Sequence, residues 1–270
     1  MLFNLFSFIN LILKPFFDRL EWMMVSANTI LCHNLRSLCD APSLKYVREL
    51  NSIYIWYCGE IEDILSFSYT FPLQSLKVVE LQYLDNLQVL FREEKVASAP
   101  AVPPGTFSRL TKFSIFRCPN IKNLFTPGLL PNLGNLEEID VRCCEQLEEI
   151  IGGESDEDKE GEAEEEIEEA GMGSNGIFRK LRALALSDLP ELKTICNGCN
   201  VIVCDSVQQI WIGQCPKLKR LPLSLPQTNG QLSSPPSSLR IEIKKEWWEL
   251  LEWGNHDTKN VLEPYCQFFE

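Results

Sequence analysis

One pattern of apolar positions recurs along this chain: positions one, four, six, nine, twelve and fifteen are apolar, and the positions between them are polar or variable. Full copies run through Leu50, Ile53, Ile55, Cys58, Ile61 and Ile64, and through Leu76, Val79, Leu81, Leu84, Leu87 and Leu90. They continue with Leu110, Phe113, Ile115, Cys118, Ile121 and Leu124, and with Leu136, Ile139, Val141, Cys144, Leu147 and Ile150. Two more are Leu181, Leu184, Leu186, Leu189, Leu192 and Ile195, and Val207, Ile210, Ile212, Cys215, Leu218 and Leu221. An earlier copy starting at Met24 keeps Cys32, Leu35 and Leu38 but has Ala27 and Thr29 at positions four and six. A last, partial copy offers Ile241 and Ile243 before Glu246 takes position nine.

The copies start at residues 24, 50, 76, 110, 136, 181, 207 and about 238, so four of the seven spacings are 26. The other spacings, 34, 45 and 31, are that unit lengthened by insertions. Positions four and six alternate with period two, which predicts a short strand with both side chains turned inward. The spacing then changes to three, which turns the chain away and brings it back along the other side. One unit buries too few side chains to offset the entropy of ordering its backbone. Stacking supplies the missing burial and pairs the strands. The pattern therefore predicts an α/β solenoid, a leucine-rich-repeat horseshoe with a parallel concave β-sheet and a convex side that is irregular, 3₁₀ or short-helical.

Residues 24–245 form about eight such units, between an apolar N-terminal segment at 1–23 and a Trp-rich cap at 246–270. The apolar run 1–13 is too short to span a bilayer. It lacks a basic leader and a small-residue cleavage site, so it reads as a buried capping segment or the ragged start of a fragment. Residues 92–107 and 227–238 read as surface loops, rich in Pro and in Ser and Pro respectively. The insertion 152–176 holds most of the formal charge of -13, because Glu154 to Glu169 carries eleven acidic residues against Lys159. It reads as a disordered, solvated loop rather than a docking site for a basic partner. The remainder is nearly balanced in charge, giving no footprint for nucleic acid or an anionic membrane.

Cys stands at position nine in Cys32, Cys58, Cys118, Cys144 and Cys215. A small, readily buried thiol suits the turn expected there, so these cysteines read as structural. Cys196, Cys199, Cys204 and Cys215 have an incomplete metal-site spacing, and no metal or cofactor is expected. Eleven cysteines over 270 residues, an odd number, with no N-glycosylation sequon, point to a reducing compartment and a cytoplasmic protein. Neither His33 nor His256 has a nucleophile at a recognisable motif, and no phosphate loop occurs, so an enzyme is not expected.

Function should lie on the concave face, where positions two, three, five, seven and eight point outward. The candidate partner-binding residues are Tyr54, Trp56, Tyr57, Tyr83, Phe116, Arg117, Arg142 and Trp211. Exposed aromatic and Arg side chains are enriched at binding hot spots, although lateral packing on a sheet also favours Tyr and Trp. The position-eight residues, Tyr57, Tyr83, Arg117, Cys143, Asp188 and Gln214, should line up as an aromatic patch passing into a charged one.

Three phrases carry a family resemblance: Ile115-Phe116-Arg117-Cys118-Pro119-Asn120-Ile121-Lys122-Asn123-Leu124-Phe125, then Leu136-Glu137-Glu138-Ile139, and Gln214-Cys215-Pro216-Lys217-Leu218-Lys219-Arg220-Leu221-Pro222. With Glu246-Trp247-Trp248 and Leu251-Glu252-Trp253 they resemble the leucine-rich-repeat region of plant coiled-coil nucleotide-binding disease resistance proteins (NBS-LRR), from about Leu31 onward. The resemblance implies protein partners: a pathogen effector, a guarded host protein, or a nucleotide-binding module in cis or in trans. It implies innate immune recognition inside the cell. The nucleotide-binding module and coiled coil of that family have no counterpart in this sequence, so it reads as a fragment, a truncated paralogue or a partner-dependent decoy. A secreted repeat inhibitor of microbial enzymes and a ubiquitin-ligase substrate receptor are the competing readings.

Overall fold

The alternation at positions four and six produces strands wherever it occurs. The computed structural model describes residues 23–26, 36–37, 50–66, 73–92, 105–152, 178–196, 202–203, 206–221, 223–225, 227–228, 231–232, 234–253 and 256–269. Along the chain run β1 (Met23–Ser26), β2 (Ser52–Trp56), β3 (Asp63–Ser66), β4 (Val78–Gln82), β5 (Val89–Arg92) and β6 (Lys112–Phe116). Then come β7 (Asn123–Phe125), β8 (Glu138–Arg142), β9 (Glu149–Ile151), β10 (Ala183–Ser187), β11 (Thr194–Cys196) and β12 (Ile202–Val203). The last are β13 (Gln209–Gly213), β14 (Leu223–Ser224), β15 (Gln227–Thr228), β16 (Gln231–Leu232), β17 (Arg240–Lys244) and β18 (Cys266–Phe269).

The main sheet has nine strands in the order β1-β2-β4-β6-β8-β10-β13-β17-β18, and every neighbouring pair is parallel. Its register follows the template: Ile53, Val79, Phe113, Ile139, Leu184, Ile210 and Ile241 pair in succession, each with its counterpart one coil on. All six template positions of all six full copies are buried, none more than 7% exposed. A one-residue slip of any strand would turn its core pair outward, so the shared burial pins the register. The predicted solenoid of stacked leucine-rich units is the observed fold.

The structure corrects the sequence reading in several places. The first strand starts at Met23, inside the segment set apart as 1–23, and Met23 and Val25 pair with Ile53 and Ile55. They hold the places assigned to Ala27 and Thr29, which lie outside the described residues. Further on, Ser37 bridges Asp63, as the later half of the template requires. Thus 14 residues separate the strand position from the bridge (Met23 to Ser37) where the next copy has 10 (Ile53 to Asp63), and four extra residues hid the alternation.

The return side is more regular than expected. It does contain 3₁₀ turns, at Leu73–Ser75 and Pro127–Asn132, but positions fourteen to sixteen are strands. They form a parallel ladder β7-β9-β11 and a parallel pair β3-β5. Position sixteen supplies Phe125, Ile151 and Cys196 to the core. Three residues are too few to display a period of two, which is why spacing alone missed them.

A seventh core position also escaped the template. Leu73, Phe107, Leu133 and Phe178, three residues before position one, are all buried, and their carbonyls accept the position-one amides of Leu76, Leu110, Leu136 and Leu181. Phe107 therefore belongs to the core and packs on Phe91 at 4.7 Å between ring centroids, so the surface loop ends before it. Within 227–238, β15 and β16 form a short antiparallel hairpin rather than a plain loop; the residues between them, Asn229 and Gly230, are of the types favoured in two-residue hairpin turns. The acidic run lies outside the described residues.

At the C-terminal end, helix α1 (Lys245–Leu250) starts where the eighth copy loses its template. Trp248 of α1 is fully buried and meets Trp253 edge-on at 4.8 Å. After helix α2 (His256–Leu262) the chain returns to add β18 beside β17, a ninth strand that the repeat pattern gave no reason to expect.

Leu184→Ala, at the centre of the main sheet, is expected to lower stability by ~2–5 kcal/mol in urea unfolding, through lost burial and a residual cavity.

Candidate functional site

Six strands of the main sheet, β2, β4, β6, β8, β10 and β13, end in the same unusual turn. Position eight has positive φ in all six full copies: Tyr57 58°, Tyr83 54°, Arg117 52°, Cys143 55°, Asp188 54° and Gln214 51°. None of these is Gly, and a left-handed backbone costs an L-residue ~1–2 kcal/mol. The geometry is held by its hydrogen bonds. The position-eight amides of Tyr57, Tyr83, Arg117, Cys143 and Asp188 donate to the position-seven carbonyls of Gln82, Phe116, Arg142, Ser187 and Gly213 on the next coil, at 2.9–3.0 Å. Each ladder therefore runs one residue past its strand.

The turn also explains the cysteines. The position-nine thiols of Cys58, Cys118, Cys144 and Cys215 donate to the position-seven carbonyls of Trp56, Phe116, Arg142 and Gly213, at 3.3–3.7 Å. Burial pushes the Cys144 and Cys215 thiols up to about 12, and raises that of Cys118 further. Cys58, Cys118, Cys143, Cys144, Cys215 and Cys266 are free, whereas Cys196 is held in a disulfide. Cys199 and Cys204 lie outside the described residues.

Left-handed geometry fans the position-eight side chains outward along one edge of the open face, which brings most of the predicted residues into two clusters. In the first, Tyr57 (55% exposed) stacks on Tyr83 at 4.5 Å and 12°, and Tyr83 meets Phe116 edge-on at 5.3 Å. The Arg117 guanidinium lies over both rings, 5.6 Å from Tyr83 and 5.5 Å from Phe116. In the second, Arg142 is tied to Asp140 at 2.6 Å and reaches across β10 to lie 5.2 Å over the Trp211 ring. That reach is open because the intervening Ala185 and Ser187 are small. Trp211 in turn lies over Gly213, where an added Cβ would come within 3.3 Å of the ring. Tyr54 and Trp56 form a separate edge-on pair at 6.3 Å, and the Trp56 indole N–H finds no acceptor among the described residues.

Between and beyond the clusters runs an open groove of about 1500 Å³. Tyr83, Arg117, Cys143, Asp188, Trp211 and Gln214 are on its floor, and the position-ten residues Asp85, Pro119, Glu145, Pro190 and Pro216 line it too. Lys244, Trp247 and Phe269 close its far end. Tyr54, Trp56 and Tyr57 do not line it, and neither do Phe116 and Arg142. The position-ten row shares the repeat register and was open to discovery once position eight was placed on an edge. Trp247 and Phe269 come from the cap and the ninth strand, where no periodicity remained to locate them.

Charge is arranged along this floor. Asp188 accepts hydrogen bonds from the Ser187 hydroxyl and, at 3.9 Å, from the Cys143 thiol. Burial raises the Cys143 thiol and Asp188 adds to the effect, while Arg117 opposes it. Elsewhere on the solenoid, cations pair with acids at the same template position one coil away: Lys112 with Glu138 at 3.0 Å, Arg182 with Glu137 at 3.8 Å, Lys193 with Glu148, and Lys217 with Glu191 at 2.5 Å. Arg117 and Lys244 differ, because among the described residues they lie over aromatic rings and have no carboxylate partner. In the same set of residues no cluster of three or more His, Cys, Asp or Glu is placed to hold a metal ion, and no helix is long and apolar enough to cross a membrane.

A stack of parallel coils with a buried leucine-rich template and a variable, side-chain-rich edge defines a leucine-rich-repeat solenoid. The family described as plant disease resistance protein RPS2-like, leucine-rich repeats, matches residues 83–234, more than half of the chain, and the chain belongs to it. Among curated relatives, disease resistance protein SUMM2 of Arabidopsis thaliana is 27% identical over 82% of the chain and 20% of its own length. Probable disease resistance protein At4g14610 of the same plant is 32% identical over 60% of the chain and 20% of its own length. Disease resistance protein At4g27190 is 26% identical over 56% of the chain and 13% of its own length. The chain thus spans a fifth or less of these relatives.

The thiols give a pH prediction. A thiol raised on folding keeps its proton where the unfolded chain has lost it, so its contribution is complete below the ordinary value of 9.0 and is lost as pH rises towards about 12. The urea midpoint is expected to fall steadily above pH 9. In native protein at pH 8, a thiol reagent should label the partly exposed Cys143 well before the buried Cys58, Cys118, Cys144 and Cys215.

Proposed function

We propose that the chain is the protein-recognition solenoid of an intracellular plant immune receptor, which senses a pathogen effector or a host protein that an effector has altered. Family membership supports a role in defence. The observation that carries the recognition reading is the position-eight row. Large aromatic and cationic side chains are kept there at a backbone conformation that Gly would adopt without strain. A purely structural row would be relieved by Gly. Tyr57, Tyr83 and Arg117 of this row instead present preorganised rings and a guanidinium, and Tyr83 and Arg117, with Trp211 of β13, line an open groove; these are residue types that dominate binding hot spots. The chain acts by binding rather than by chemistry, and a nucleotide-binding module, in cis or in trans, supplies the switch that converts binding into a signal.

Affinity capture from plant tissue, with and without a co-expressed nucleotide-binding module, tests this reading. Arg117→Glu and Trp56→Ala are each expected to weaken capture of the partner by about tenfold or more, with circular dichroism and urea midpoints close to those of the parent. Gln214→Gly, at the same left-handed position, is expected to raise the midpoint, because relief of strain outweighs the ~0.4–1 kcal/mol entropy gained by the unfolded chain. Capture undiminished by both surface variants would remove the recognition role from this face.

A further inference from the structure

We infer that the groove takes an extended peptide segment in polyproline II conformation, carrying an acidic side chain at its first anchor, a basic one three residues on, and a second acidic one three residues beyond that. This deepens the recognition reading above and rests on it.

The order of charges along the floor carries the inference. Arg117 follows β6, Asp188 follows β10 and Lys244 ends β17. In the sheet order β6-β8-β10-β13-β17, these are separated by two strand steps each. Neighbouring strands lie ~4.8 Å apart, so the sequence of charges is plus, minus, plus at intervals of roughly 10 Å. Each charge is held ready. Arg117 lies over Tyr83 and Phe116 and Lys244 over Trp247, neither with a carboxylate partner among the described residues. Asp188 is fixed by Ser187 and Cys143.

The spacing selects the ligand's backbone. A β-strand laid across the coils advances ~3.3 Å per residue and alternates faces, so every third residue would point alternately to the floor and to solvent. A polyproline II helix has three residues per turn and rises ~3.1 Å per residue, so every third residue returns to the same face after ~9 Å, close to the interval of the anchors. The walls suit such a ligand. Tyr83, Trp211 and Trp247 offer ring surface, and aromatic-lined grooves are the usual seats of polyproline II segments. Glu145 follows β8, one strand from both Arg117 and Asp188, and Asp85 follows β4, one strand outside Arg117, beyond the first anchor.

The test uses the full chain and two fluorescent proline peptides of nine residues, one with Glu at its second and eighth positions and Lys at its fifth, the other with the charges inverted. Fluorescence anisotropy up to millimolar protein is expected to favour the first peptide by about tenfold or more. The double variant Arg117→Glu, Lys244→Glu should reverse that preference. A merely structural loss could not do this, and a folded circular dichroism spectrum of the variant completes the comparison. Equal binding of the two peptides, or an unchanged preference in the double variant, overturns the inference. If neither peptide binds while partner capture still depends on Arg117, the charge order is wrong and the recognition reading survives. If capture is lost as well, both fall.

Discussion

A strand at the interior of this sheet can satisfy its amides and carbonyls only against the equivalent strand of the coil before and the coil after. From Ile53 to Ile241, position four meets position four without a slip, although the coils between differ in length by up to nineteen residues (26 against 45). Everything else follows from that enforced equivalence. Core residues stack on core residues, thiols repeat because the turn repeats, and surface acids and bases find one another because they occupy the same template position on adjacent coils.

The equivalence also accounts for the backbone strain. Extending the ladder to the position-eight amide requires the chain to turn sharply at that residue, and the left-handed conformation achieves the turn while aiming the position-nine thiol back at the position-seven carbonyl. One local distortion thus lengthens the ladder and swings a side chain to the rim, and in the four coils with Cys at position nine it also satisfies a carbonyl. The side-chain row along this edge is a by-product of how the strands terminate, which is why it repeats at one template position.

Much of the interior was legible in advance, since burial of six positions per coil leaves a periodic trace that survives insertions. What the pattern could not reveal falls into recognisable kinds. Met23 and Val25 were missed because four extra residues separate them from Ser37, so a fixed template aligned Ala27 and Thr29 in their place. The strands at Asn123–Phe125 and Glu149–Ile151 are too short to show alternation. Phe107 and Phe178 keep a constant distance from the coil that follows them, not from the one that precedes them, so counting forward from position one lost them. Of the proposed site, the identities along position eight were readable, and their row was anticipated. Which of them would share a groove was not, because that depends on Lys244, Trp247 and Phe269, placed by a cap with no period.

The two longest insertions enter at one place in the coil, after position sixteen and before the buried residue that precedes position one, as Phe91 and Phe107 bracket the first and Ile151 and Phe178 the second. These two length changes fall on a flank that carries neither ladder. A gene for such a molecule can gain or lose codons at that junction without moving the register of the row opposite. Variation in size and variation in the identities along that row are therefore free to evolve separately.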